Sequence, residues 1–538
     1  MALRRFGSAF LVALSVMTLL FSRQIGSHLT RNSTFFMHWE RADGAAVVLT
    51  IILVAGVLAA VAELLAALRW TRGLRIYDHL LLLLLASGLL SIIQPLLLHN
   101  PEPFNDPLRH TNSVLFQLAW IVVAAIIGFS LGHPGSRLTR YAKNACLCIS
   151  PVFAILSLQL LTLPSWGPSW EPRPRFREAG RSAQPIFVFV FDGLSYERMT
   201  QDGEIRPEFG NLRDLASRSL VFRRAESPAS TTLFSMAGII HQEETGRTFS
   251  QDRQEGRHHP TAPWTRAASS PSLFELARHQ DYQTALVGYY LPYRKLLGDA
   301  LDYCVSQPVL RKGDRLIEKM ALVCVRNLQY GTDPISPRLY YKLIRPINSR
   351  HWYDVNQDVL DETLGVLDQA PSNTLLLSHF PIPHRPYVFK PDGTYFGHAD
   401  AGYDTLGPSQ PEGYERSLLY VDQIVGQLTQ RLRDADRFDD ATIVITADHG
   451  AHFLGVQDTD DRHVPLIIKL PGQGSSHMID EPMANYRIRP IIERALRGDA
   501  SPEAVLELVR DAPPGSGIPA AKAPPHRPPD PTRQPTRG

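Results

Sequence analysis

Two apolar runs that end on acids, about 250 residues apart, constrain this chain most. Thr442-Ile-Val-Ile-Thr-Ala-Asp448-His449-Gly450 is a β-rich stretch that stops on an acid, an imidazole and a glycine, and Pro185-Ile-Phe-Val-Phe-Val-Phe-Asp192-Gly193 is built the same way. Near-continuous β-branched and aromatic runs bounded by glycine read as strands buried on both faces, which is the pattern of a parallel sheet covered by helices. Open α/β sheets place their ligands at the carboxyl ends of such strands, and Asp with His suits a divalent cation. Taken singly, each Asp-Gly or His-Gly is also ordinary turn chemistry. Their pairing points to a metal-dependent enzyme.

Between the two runs lies Ser227-Pro-Ala-Ser-Thr231-Thr232-Leu-Phe-Ser235-Met-Ala-Gly238. Hydroxyl residues just ahead of an apolar stretch read as a helix N-terminus, where backbone N–H groups hold a phosphate or similar anion. An ordinary Ser/Thr cap would look the same. A threonine hydroxyl is a weak nucleophile until something lowers its pKa, and a metal held by Asp192, Asp448 and His449 would do so.

The order of these pieces resembles the alkaline phosphatase superfamily in its sulfatase-like branch. The resemblance covers about residues 185 to 475: strand-Asp192-Gly, then Thr232-Leu-Phe-Ser235, then Leu376-Leu-Ser-His379-Phe-Pro-Ile-Pro-His384-Arg-Pro-Tyr387, then Ala-Asp448-His449-Gly450, then His463-Val-Pro-Leu-Ile-Ile-Lys-Leu-Pro-Gly472. It implies a mainly parallel sheet between helices and one divalent ion, of Zn, Mn, Mg or Ca type, gathered by Asp192, Thr232, Asp448 and His449. Thr232 is implied as nucleophile, and His384 as a contact to substrate or leaving group.

True sulfatases resemble one another in a Cys-x-Pro-x-Arg or Ser-x-Pro-x-Arg sequence that is oxidised to formylglycine. This chain lacks that sequence, and none of Cys146, Cys148, Cys304 and Cys324 lies near Thr232. An unmodified threonine, with Ser235 three residues on, resembles the phosphoethanolamine and phosphoglycerol transferases and the superfamily's phosphodiesterases. Two departures stand out: Gly193 where many relatives carry a further acid, and Ala451-His452 after Asp-His-Gly. They leave open a noncatalytic binding protein that keeps the fold, and a sulfatase-like hydrolase or phosphodiesterase of another substrate.

Five apolar runs occupy roughly residues 6–22, 45–68, 79–98, 113–132 and 145–163. Each is close to the ~20 residues that cross a bilayer. Arg4 and Arg5 precede the first run, but no small-residue cleavage site follows it, so it reads as an uncleaved anchor. Arg4 and Arg5, then Arg69, Arg72 and Arg75, then Arg137, Arg140 and Lys143 fall on one side, which the positive-inside rule assigns to the cytoplasm. An odd number of spans then exports the remainder from the inner, or plasma, membrane. Trp166 and Trp170 fit an interfacial belt after the last span. Anchoring near a bilayer suits an enzyme whose substrate is a membrane lipid or glycolipid, because it raises effective concentration.

The expected organisation is therefore a five-helix transmembrane domain (1–165), a Pro-rich linker (166–184), a sulfatase-like α/β domain (185–510) and a disordered tail (511–538) with nine prolines from Ala512 onward. Within the domain, strands are expected at 284–288, 373–379 and 464–469, and a helix at 413–435 whose Leu418, Val421, Val425, Leu428 and Leu432 share one face. The polar stretch 241–268 carries His258-His259, a conceivable second metal site or solvated loop histidines. With a formal net charge of +2 and a pI near 8.3, the chain has no basic-aromatic array for nucleic acid. Cys304 and Cys324 are the exported cysteines and either pair across an oxidising compartment or stay as thiols.

The alternating basic loops make one expectation directly measurable. A reporter active only outside the cytoplasm, fused behind the sheet domain, should be active. Activity of a cytoplasm-only reporter at the same junction would overturn the orientation.

Overall fold

In the computed structural model, the described residues are 2–22, 24–26, 41–97, 122, 137–162, 173–174, 176, 183–243, 264, 270–307, 315–332, 337–397, 411–451 and 462–510. Four long helices form the N-terminal part: α1 (Ala2–Leu20), α2 (Arg41–Ala67), α3 (Thr71–Leu97) and α4 (Arg137–Thr162). Helix α1 packs against the other three. Close approach depends on glycine: a Cβ on Gly88 would sit 2.8 Å from the α1 backbone at Leu19, and one on Gly44 would sit 2.6 Å from the Leu160 carbonyl. Small residues at helix crossings are how membrane bundles gain contact without a hydrophobic drive. The outer flank of α2 is apolar and exposed at Leu53, Val57 and Leu64.

Among the described residues, three helices are long and apolar enough to cross a membrane: Leu3–Leu20, Arg41–Ala67 and Thr139–Thr162. They coincide with the first, second and fifth expected runs. The third run falls on α3, and the fourth lies outside the described residues apart from Val122. The 511–538 tail, His258-His259, His452, Trp166 and Trp170 also lie outside them.

The C-terminal part is built on one nine-stranded sheet. Its strands are β1 (Arg173–Pro174), β2 (Ile186–Asp192), β3 (Leu220–Phe222), β4 (Gln283–Tyr289), β5 (Tyr303–Gln307), β6 (Thr374–Pro383), β7 (Thr442–Ala447), β8 (Leu466–Lys469) and β9 (His477–Ile479), in the spatial order β1-β5-β4-β6-β2-β7-β8-β3-β9. The central strands β5, β4, β6, β2 and β7 are parallel, while β8 turns antiparallel to both β7 and β3. Every residue of β2, β6 and β7 is buried, as runs covered on both faces require. The expected linker is partly drawn into this sheet: Arg173 and Pro174 pair with Cys304 and Tyr303. An edge strand tolerates the proline because one side of its ladder needs no donor.

The helices used below are α5 (Gly210–Ala216), α6 (Thr232–His241), α7 (Leu316–Thr332), α8 (Pro337–Gln369) and α9 (Pro411–Asp434). Helix α9 is the expected amphipathic helix, and its Leu418, Val421, Val425, Leu428 and Leu432 are all buried. Cys304 is buried in β5 and Cys324 half-buried on α7, and no disulfide joins them.

A buried carboxylate ties α9 to α5. Phe209 at the start of α5 provides no side-chain cap. Asp422 of α9 does this instead, accepting from Leu212 N at 2.8 Å, Asn211 N at 3.3 Å and Asn211 Nδ2 at 2.8 Å. Asp422→Ala would strand these donors and is expected to cost about 2 kcal/mol, read as a lowered thermal midpoint of the detergent-solubilised protein. An unchanged midpoint would show that water replaces the carboxylate.

Candidate active site

The adjacency of β6, β2 and β7 is what builds the site. All three run in the same direction, so their carboxyl ends meet at one edge of the sheet. β2 ends on Asp192, β7 delivers Asp448 and His449 just beyond Ala447, and β6 carries His379 opposite Val190. The register of β2 and β6 shifts after Phe191, so that Asp192 aligns with Pro383. The β6 backbone thereby bends away as the chain reaches Pro383 and His384.

Local structure fixes each group. Gly193 adopts a φ of +76°, a conformation that side chains disfavour. Its N–H donates to Asp448 Oδ1 at 3.1 Å, and the His449 N–H donates to the same oxygen at 2.8 Å. One oxygen of Asp448 is thus satisfied by backbone while Oδ2 has no hydrogen-bond partner. Tyr414 locks the turn, donating to Gly193 O at 2.8 Å and accepting from Ser195 N at 2.9 Å. His449 Nδ1 lies 2.8 Å from Gly450 O. That bond assigns the ring proton to Nδ1 and leaves a lone pair on Nε2.

Four groups expected from sequence come together. His449 Nε2 is 3.3 Å from Thr232 Oγ1, 3.3 Å from Asp192 Oδ1 and 3.5 Å from Asp448 Oδ2. Ligand atoms around a tetrahedral ion with bonds of about 2.0–2.2 Å stand about 3.3–3.6 Å apart. The separations around His449 Nε2 match that spacing. Asp192 and Asp448 are 2 % and 0 % exposed, and Asp192 Oδ1, Asp448 Oδ2 and His379 Nε2 are buried without a hydrogen-bond partner. Orphaned buried acceptors that converge on one point fit a cation, since leaving them bare carries a large desolvation penalty. Burial first, and then the Asp448 charge, push the Asp192 carboxyl well above the usual range, while the Thr232 hydroxyl beside it pulls back.

His379 was not singled out as a ligand from sequence. Asp192, His379 and Asp448 nevertheless form a group able to hold a metal ion, with His379 Nε2 3.8 Å from Asp448 Oδ2. Tyr293 OH sits 2.8 Å from His379 Nδ1 and orients the ring from behind. Burial lowers the His379 pKa to about 4, against the pull of Asp448, which keeps the imidazole neutral as a ligand must be. The available signal was Leu375-Leu-Leu-Ser-His379, an apolar run reaching a ligand-type residue as β2 and β7 do.

The remaining expected residues lie at the periphery. Thr232 opens α6, and the Thr231 side chain makes no capping bond to it. Ser235 turns away and donates to Ala229 O at 2.8 Å, bracing the segment before the helix. His384 lies outside the ligand cluster, half-buried, with its ring 6.0 Å from Trp352 and its Nδ1 2.5 Å from Arg385 O. Burial, then Arg385 and His449, lower its pKa to about 3. His463 is structural, held between Glu197 at 2.7 Å and Arg223 O at 2.9 Å.

Residues 184–491 match the sulfatase family, and the chain belongs to it, within the alkaline phosphatase and sulfatase superfamily. No match to the chain is found among curated proteins. Similar solved structures include a phosphonate monoester hydrolase of Agrobacterium radiobacter, with 16% identity over 59% of this chain and 74% of that one and a TM-score of 0.36. Another is the PsFucS1 sulfatase from Pseudoalteromonas sp., with 16% identity, coverage of 59% and 68% and a TM-score of 0.38. A third is an alkaline phosphatase superfamily protein from Vibrio parahaemolyticus, with 14% identity, coverage of 61% and 69% and a TM-score of 0.37. Likenesses this distant carry no argument about chemistry.

The site has a measurable dependence on its cation. Chelation leaves two buried carboxylates facing each other, so the thermal midpoint is expected to fall by several degrees at pH 8. Restoring Zn²⁺ or Mn²⁺ at about 1,000 times its Kd should return about 4 kcal/mol. The raised Asp192 pKa means that the folded, metal-free protein binds an extra proton between the ordinary carboxylate pKa and the raised one. Within that window the metal-free form gains stability as pH falls, so the chelation effect should shrink on acidification. A midpoint indifferent to chelator at pH 8 would remove the metal from the site.

Proposed function

We propose that this chain is a membrane-anchored, metal-dependent enzyme that takes a phospho-group of the phosphoethanolamine or phosphoglycerol type from a membrane lipid through an ester on Thr232. One observation carries the reading. The Thr232 hydroxyl stands at the first turn of α6, 3.3 Å from His449 Nε2 and beside Asp192, where a formylglycine enzyme would need a different sequence.

Asp192, Asp448 and His449 would hold the ion, with His379 at its edge. When bound, a divalent ion lowers the pKa of a coordinated hydroxyl and neutralises charge on a transferring phosphoryl group. The chain's own groups do the rest. The Thr232 hydroxyl gives up its proton to solvent, and its oxygen bonds to phosphorus as the bond from phosphorus to the diacylglycerol oxygen breaks. The departing diacylglycerol oxygen takes up a proton. The α6 N-terminus faces the phosphoryl oxygens with backbone N–H groups and the positive end of the helix dipole. An acceptor alcohol then attacks the phosphorus and releases Thr232; water in that place makes the same enzyme a hydrolase.

His384 contacts substrate in this reading. With its Nδ1–H donated to Arg385 O, Nε2 accepts a hydrogen bond from a hydroxyl or ammonium group of the phospho-substituent or from the incoming alcohol. An anionic phospho-group nearby raises its lowered pKa and makes it a better proton acceptor.

Thr232→Ala should abolish diacylglycerol release from phosphatidylethanolamine and phosphatidylglycerol in nanodiscs while folding and membrane insertion persist. Thr231→Ala should retain turnover and lose less than about 1 kcal/mol, since its side chain does not cap α6. Intact-mass analysis of the stalled enzyme should place the added group on Thr232. Near-normal turnover by Thr232→Ala would sink the mechanism.

A further inference from the structure

Helix α7 lies within the stretch that matches the sulfatase family, yet it packs against the membrane helices α2 and α3. Val323 is buried in the α1–α4 core rather than in the core of the sheet domain. Lys319 Nζ pairs with Asp43 Oδ1 at 2.7 Å, with the two side chains only 7% and 14% exposed. Gln24 Nε2 donates to Val323 O at 2.6 Å in a buried bond. Asp43 stands in the first turn of α2, and Gln24 lies just past the end of α1. These contacts sit where two adjacent spans end on the same side of the bundle, the level at which bilayer hydrocarbon gives way to headgroups.

The other side of α7 is apolar. Lys319, Val323 and Asn327, spaced i, i+4 and i+8, are the buried positions. Ile317, Ala321, Cys324 and Leu328 recur at i, i+4, i+7 and i+11, which at 3.6 residues per turn is a second stripe on the opposite side. Ile317 is 66% exposed and Leu328 56%. The α2 span has an exposed apolar flank of its own at Leu49, Ile52 and Leu53.

We propose that α7 lies in the headgroup layer of the bilayer and buries its Ile317–Leu328 stripe among the lipid acyl chains, a second membrane attachment for the catalytic domain. An amphipathic helix of this kind sits in the interface with its apolar face about 5–10 Å deep. The occupant is lipid rather than a protein groove because α7 is held at the ends of two apolar spans by Lys319, Val323 and the Gln24 bond, which sets its remaining exposed stripe at the level of the bilayer surface. Residues 333–336 separate α7 from α8, which packs against it. Helix α8 carries Trp352, whose ring lies 6.0 Å from His384, so one helix links α7 to the rim of the site. The inference stands on membrane anchoring and is independent of the reaction proposed above.

The test uses the full chain in nanodiscs of phosphatidylethanolamine and phosphatidylglycerol, with photoreactive p-benzoylphenylalanine in place of Ile317 or of Leu328. A third chain carries it in place of Glu208, an exposed residue of the sheet domain. After irradiation, mass analysis should find phospholipid adducts at Ile317 and Leu328 that exceed those at Glu208 by at least about tenfold. Only chains eluting as the unmodified protein does are compared, so a folding defect at one position leaves the other to decide. Adducts no more frequent than at Glu208 would overturn the proposal. Cross-linking to a second copy of the chain in place of lipid would overturn it too.

Discussion

Two carboxylates, Asp192 and Asp448, are buried at the ends of neighbouring parallel strands, and everything around them answers to that constraint. Two like charges at such proximity cannot both stay ionised in a medium of low polarity without a cation between them. The sheet is what forces them together: β2 and β7 pair from Ile186 with Thr442 through to Phe191 with Ala447. A slip of one residue would turn one acid into the packed face. The aromatic run of β2, with Phe187, Phe189 and Phe191 fully buried, makes such a slip prohibitive. Core packing and site geometry are therefore one property of this sheet.

Much of this was legible in the chain itself, because a strand buried on both faces writes an unbroken apolar run and its terminal acid interrupts it. β2, β7 and the one-sided stripe of α9 follow directly from that logic. His379 did not, since a buried histidine within an apolar strand looks the same whether it packs passively or faces an orphaned carboxylate; only the placement of Asp448 Oδ2 at 3.8 Å separates the two. The part played by α7 was hidden for a related reason. Its face toward α2 carries Lys319 and Asn327 beside Val323, which hides that face from a reading of apolar periodicity, and the partners of its two faces, α2 and the lipid, are remote from it or outside the chain. Arg173 and Pro174 were read with the linker because proline composition describes a segment's stiffness and not which sheet edge it meets.

The joint between the two halves of the molecule bears on how a lipid reaches the site. A catalytic domain tethered only through residues 163–172 would tumble over the bilayer. The buried Lys319–Asp43 pair and the Gln24 bond give it an orientation, because both are polar contacts largely removed from water. Their partners lie on α2, on α7 and just past the end of α1, so the orientation is fixed by elements outside the sheet. Membrane geometry and catalytic geometry meet at α8, through Trp352 beside His384.

The glycine after Asp192 bears on the charge of the site. A further acid there, as many relatives carry, would supply ligands for additional positive charge. Gly193 instead turns its N–H onto Asp448 Oδ1, so that one oxygen of Asp448 is already committed to backbone donors, and among the described residues the cluster holds two carboxylates. Two carboxylates balance one divalent ion. In the proposed reaction, the negative charge of a deprotonated Thr232, or of a phosphoryl group on it, would be in excess of what such an ion neutralises. Thr232 opens α6, and the N-terminal turn of that helix carries about half a positive charge. In the reaction proposed for Thr232, the spare charge would fall to the backbone of the helix that this residue opens.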